Sequence, residues 1–127
     1  MASRSERPDV PEAMVRRIGA VLARLPECRE EAAWVGVRWR IGNATVAHVF
    51  GGEDQSFRIT FRAEPDEVMA LEHLGPPYFR AGWGRNVVGL LVDEVTDWTE
   101  LVELLTDSYC LQAPAALAAH VARPDLR

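Results

Sequence analysis

The chain has 127 residues, which fits a single domain whose core needs no metal or disulfide staple. Apolar residues make up 48% and charged residues 26%, ordinary values for a globular protein, and no apolar run reaches the length of a membrane span. The net charge of −5 opposes strong unspecific binding to nucleic acid, although it leaves room for a local basic patch.

The N-terminal stretch from Met1 to Asp9 lacks the apolar core of a secretory signal, so a cytoplasmic protein is expected. Residues 1–9 and 123–127 read as polar tails, the first disordered, flanking one domain over 10–122. Pro11 suits a first helical turn, and Val15, Ile18, Leu22 and Leu25 then recur at helical spacing with Arg16, Arg17 and Arg24 between them. Pro26 stops this helix, and Glu27 to Glu31 reads as a polar connection. A first strand is expected over Val35–Ile41, a two-residue turn at Gly42-Asn43, and a return strand from Ala44 to Phe50. With Ile41 opposite Ala44, simple alternation puts Val46, His48 and Phe50 on the face of Val37 and Trp39. In the third strand Phe57, Ile59 and Phe61 point inward, and Arg58, Thr60 and Arg62 outward.

A second helix opens at Glu64-Pro65-Asp66-Glu67, with Val68, Leu71 and Leu74 on its inner stripe and Gly75-Pro76-Pro77 at its end. Tyr78–Arg80 and Val87–Val92 read as two more strands joined by a projecting loop, residues 81–86. Asp97-Trp98-Thr99-Glu100 has the form of a helix cap, and Trp98, Leu101, Val102, Leu105 and Tyr109 line the helix that follows. Pro114 opens a short last helix through Leu117 and Val121. The expected order is α-β-β-β-α-β-β-α-α, an α+β fold in two layers, with an antiparallel sheet and its helices on one face.

The chemical motifs are mostly missing. The chain has no GxxxxGK[ST], GxGxxG, GxSxG or HExxH. His48, His73 and His120 do not pair at helical spacing, and His48 is expected to face the core as a satisfied histidine. Cys28 and Cys110 fit neither a redox pair nor a zinc set, so both read as reduced structural thiols. No catalytic residue, metal or cofactor is expected. Charge is more informative. All 14 basic residues are Arg, which favours planar, bidentate contacts with phosphate or carboxylate. The segments read as strands or loop hold Arg38, Arg40, Arg58, Arg62, Arg80 and Arg85 and no acid, and alternation puts the first four on the sheet face away from the helices.

Three segments resemble the MmcQ/YjbR family: Arg40-Ile41-Gly42-Asn43-Ala44-Thr45-Val46-Ala47, the Gly82-Trp83 pair before an apolar strand, and the run from Asp97 to Tyr109 followed by Gln112-Ala113-Pro114. The resemblance spans residues 11–121. It implies a two-layer fold like that of secretion chaperones and a double-wing mode of DNA binding, and it supplies no catalytic residues. The expected function is therefore non-enzymatic DNA binding. Arg38, Arg40, Arg58 and Arg62 would meet phosphates, and Arg80, Trp83 and Arg85 would form a wing. The alternatives are a dimeric or chaperone-like protein-interaction module and a protein that sequesters a small ligand through the aromatic residues near Trp83.

Overall fold

Pro11 starts the first helix as expected, its carbonyl accepting the Met14 and Val15 amides at 3.0 and 3.1 Å. In the computed structural model, which describes residues 7–82 and 84–121, α1 runs Glu12–Leu22 and buries Ile18 and Leu22. The strands are β1 (Arg29–Ala32), β2 (Val37–Ile41), β3 (Ala44–Gly51), β4 (Phe57–Arg62), β5 (Tyr78–Arg80) and β6 (Val87–Val92). The other helices are α2 (Pro65–Leu74), α3 (Trp98–Gln112) and α4 (Ala115–Ala118).

The strands form one six-stranded sheet in the order β1-β2-β3-β4-β6-β5, with every neighbouring pair antiparallel. The helix α2 carries the chain from β4 past the next position to the edge, and β6 returns to fill the gap. Gly42 takes φ 59° at the β2–β3 turn, a conformation that glycine adopts without strain. One face of the sheet packs on the helices. Trp39, Val49, Ile59, Phe61, Val88 and Leu90 lie there in one cluster with Ile18, Leu22, Val68, Leu101, Leu105 and Tyr109. Burying each such large side chain stabilises the fold by about 1.5–3 kcal/mol. The α+β class, the antiparallel sheet and the one-sided helices are as the sequence implies.

Three details differ. The polar stretch Glu27–Glu31 is not simply a connection, because Arg29–Ala32 adds an edge strand before the expected ones. It has no apolar alternation to announce it; backbone pairing with β2 and cross-strand charge pairs hold it. Next, Ile41 pairs with Ala44 as expected, but the register shifts between Trp39 and Arg40, leaving Val46 as an extra residue. Trp39 is therefore opposite Ala47, and His48 and Phe50 lie on the face away from the helices. Finally, Leu74 is exposed although it was expected on the inner stripe of α2.

The expected N-terminal tail is partly packed: Arg7 donates to the Gly51 carbonyl at 3.1 Å, and Pro8 lies against Gly51. Residues 1–6, Trp83 and 122–127 lie outside the described residues. Among the described residues no helix is long and apolar enough to cross a membrane.

Candidate functional site

The face away from the helices carries the polar chemistry. Cross-strand register lines up Glu31, Arg38, His48, Thr60, Gly89 and Phe79 in one row across the sheet. Gly89 leaves room in that row for the Phe79 ring, which lies across the strand: a Cβ there would sit 2.2 Å from the ring and push it aside. On one side of the row Arg29 pairs with Arg40, and Arg40 with Thr45; farther along the same flank Arg62 pairs with Val87. On the other side lie Phe50, Arg58 and Leu91. Arg38, Arg40, Arg58 and Arg62 thus share the open face, as alternation implies.

Their charges are not equally available. Glu31, brought in by β1, accepts Arg38 Nε and Nη2 at 2.9 and 2.6 Å, and lies 3.7 Å from Arg40 and 3.9 Å from Arg29. The Arg38 hydrogen bond holds the Glu31 carboxyl below the usual carboxylate range. Arg40 also donates to the Asn43 carbonyl, and Arg29 to the Gly42 carbonyl at 2.9 Å. Arg58 is tied to Asp54, and its hydrogen bond likewise lowers the Asp54 pKa. Arg62 differs from these. Its Nη1 donates to the Arg85 carbonyl at 2.6 Å, and among the described residues it has no carboxylate partner.

Two expected wing residues are placed apart. Arg80 pairs with Val88, on the helix side of the sheet, and is held by Glu72 of α2 at 3.0 and 3.1 Å. Arg85 is exposed in the loop between β5 and β6. Trp83 lies outside the described residues.

Between Arg38 and Arg62 a cleft of about 160 Å³ opens onto the face, also lined by Thr45, His48, Thr60 and Val87. The His48 Nε2 lies 2.6 Å from the Val35 carbonyl, so the neutral ring donates its Nε2 proton there. Burial holds the His48 pKa below its ordinary value, and the nearby Arg38 cation acts in the same direction. Thr60 is nearly enclosed, and its hydroxyl donates to the His48 carbonyl at 3.5 Å. At about 30 Å³ per water, the cleft holds a few water-sized groups. Guanidinium and hydroxyl donors around such a space suit an oxyanion.

Alternation puts Thr60 outward beside Arg58 and Arg62, as found, but Glu31 and His48 are not expected on this face. Glu31 needs β1, and His48 needs the bulge at Val46, which has no local signature. The buried Ser108 was also missed. Its hydroxyl donates to the Val46 carbonyl at 2.7 Å and accepts the Arg62 amide at 2.9 Å, fastening the bulge to α3. A polar residue on the inner stripe of an apolar helix was its only trace in the chain.

Among the described residues no other cluster assembles reactive groups. Cys28 and Cys110 are free thiols, and burial pushes the Cys28 pKa up to about 11. Such a thiol stays protonated at neutral pH and is a poor nucleophile. Among the described residues no group of three or more His, Cys, Asp or Glu is placed to hold a metal ion.

The YjbR family model matches residues 23–111, more than half of the chain. The chain belongs to the YjbR family. The YjbR match contains β1 to β6 entire, and so every residue of the open face and its cleft. It begins after α1 and ends one residue before the end of α3. The resembling stretches Arg40–Ala47, Gly82-Trp83 and Asp97–Tyr109 fall inside the YjbR match, and Gln112-Ala113-Pro114 lies just beyond its end. No curated protein matched the chain.

Proposed function

We propose that this YjbR-family protein is a non-catalytic DNA-binding module that seats backbone phosphates on its open sheet face. The observation that carries the reading is the charge of that face. Five arginines (Arg29, Arg38, Arg40, Arg58 and Arg62) stand there against the carboxylates of Glu31 and Asp54, and two of them, Arg38 and Arg62, line the cleft. The acidic remainder of the molecule disfavours indiscriminate attachment, while the local patch attracts phosphate.

The contacts centre on Arg62, with Arg38 and Arg40 beside it and Arg85 in the adjoining loop. Arg58 and Arg80 have carboxylate partners of their own and contribute less. Backbone neutralisation of this kind reads no base sequence by itself. The non-catalytic part of the reading rests on the absence of a nucleophile–base pair among the groups described above.

The test is fluorescence anisotropy of a labelled random duplex at about 50 and about 200 mM salt, a range over which phosphate contacts weaken steeply. The unaltered protein is expected to bind at low salt and release at high salt. The double change Arg62→Glu with Arg85→Glu is expected to abolish binding while circular dichroism shows an intact fold. Absence of binding at low salt would refute the proposal.

A further inference from the structure

A second concave surface, separate from the cleft between Arg38 and Arg62, lies where the start of α1 meets the ends of β4 and β6. It is a groove of about 750 Å³, within the usual range for small-molecule sites. Its apolar lining comes mainly from Met14 of α1, Phe57 of β4, Leu91 and Val92 of β6 and Trp98 at the start of α3. All but Val92 keep part of their surface accessible.

The charges along this groove are separated by sign. On the α1 side, the Arg17 guanidinium lies over the Trp98 indole at 4.0 Å from the ring centroid. The ring orients this cation without neutralising it, and among the described residues Arg17 has no ion pair. Its neighbour Arg16 is paired with Glu12 at 3.4 Å and does not line the groove. At the β6 end stand Asp93 and Glu94. Asp93 Oδ1 accepts the Val95 amide at 2.9 Å, while Glu94 is exposed and forms no ion pair among the described residues. Neither carboxylate closes on Arg17, although all three line one groove.

We propose that this groove is a binding site for a small aromatic zwitterion, a flat ring with a carboxylate at one end and an ammonium at the other. The ring lies on Met14, Phe57 and Trp98. The carboxylate meets the guanidinium of Arg17, whose planar fork matches it, and the ammonium meets Glu94 and the free side of Asp93. Each ligand charge then meets an opposite charge, and the apolar lining is covered. This site is independent of the DNA-binding reading. It shares no residue with the open-face cleft, and α1 lies outside the YjbR match.

The probe is para-(aminomethyl)benzoate, titrated against the full-length protein and followed by saturation-transfer NMR, with benzoate, benzylamine and toluene as references. The zwitterion is expected to saturate and to bind more tightly than any reference. Arg17→Gln and Glu94→Gln are each expected to weaken it about threefold, the scale of one exposed charge contact. Both positions are exposed, so each variant is expected to keep the unfolding transition of the unaltered protein. Failure of the zwitterion to saturate overturns the proposal. So does toluene binding as tightly as the zwitterion, or either variant leaving the affinity unchanged.

Discussion

Ser108 sits fully buried between α3 and the sheet, with its hydroxyl bonded both to the Val46 carbonyl and to the Arg62 amide. Both partners belong to the region that shapes the open face, the bulge and the end of β4. Replacing Ser108 with Ala leaves a buried acceptor and a buried donor unmet, which is expected to cost about 1–3 kcal/mol in urea unfolding. A loss near zero would mean that the bonds only balance their desolvation. His48 offers a second test at this scale. Its folded pKa lies below the unfolded value of about 6.5. As pH falls through that value the unfolded chain takes up a proton that the folded one refuses. His48 therefore destabilises the fold progressively below about pH 6.5, by at most about 1.4 kcal/mol per pH unit, until the folded pKa is reached. Unfolding measured at about pH 7.5 and about pH 5.5 is expected to show this loss, and His48→Gln is expected to reduce it.

Among the elements, β1 changes the reading of the site most. It is four residues long and polar, and it places Glu31 beside Arg29, Arg38 and Arg40. The strand thus holds the arginines in order and masks part of their charge. Glu31→Gln removes the mask while leaving side-chain volume nearly unchanged. It is expected to tighten duplex binding several-fold and to steepen the salt dependence by about one phosphate contact. Unchanged affinity would mean that phosphate does not reach Arg38. The helix α3 shows a different division of labour. Asp97 caps it by accepting the Glu100 amide at 3.1 Å, as the Asp-x-x-Glu pattern implies. Glu100, however, turns outward from the cap and accepts the Tyr78 hydroxyl, tying the helix to β5. Burial and this carboxylate together raise the Tyr78 pKa.

For the whole molecule, the sheet edges bear on the rival reading of a dimer built through strand pairing. The outer strands are β1, which carries Arg29, Glu30 and Glu31, and β5, which has three residues and the Arg80–Glu72 pair. Short, charged edges resist pairing with another chain. The large exposed apolar residues include Trp34 at the β1–β2 turn, Met69 and Leu74 on α2, and Val95 after β6, three separate parts of the chain. Sedimentation equilibrium at micromolar concentration is therefore expected to return the mass of one chain. A two-chain mass would favour the protein-interaction reading over DNA.

The elements with strong local signals were legible in the chain. Val15, Ile18 and Leu22 repeat at helical spacing, Phe57 to Arg62 alternates cleanly, and Pro65, Gly75 and Asp97 mark helix ends. Binary pattern sets which face of such an element is apolar, so the α+β class and the arginines of the open face followed from it. Three features depended on tertiary structure. Strand β1 has no apolar alternation and forms because β2 offers it a partner. The bulge at Val46 reverses the facing of His48 and Phe50, since one inserted residue shifts a period of two. The net charge of each arginine depends on which carboxylate the fold brings beside it. Local pattern determines which way a side chain points where a strand runs without interruption; only the packed sheet decides where a bulge reverses that facing and what each side chain meets.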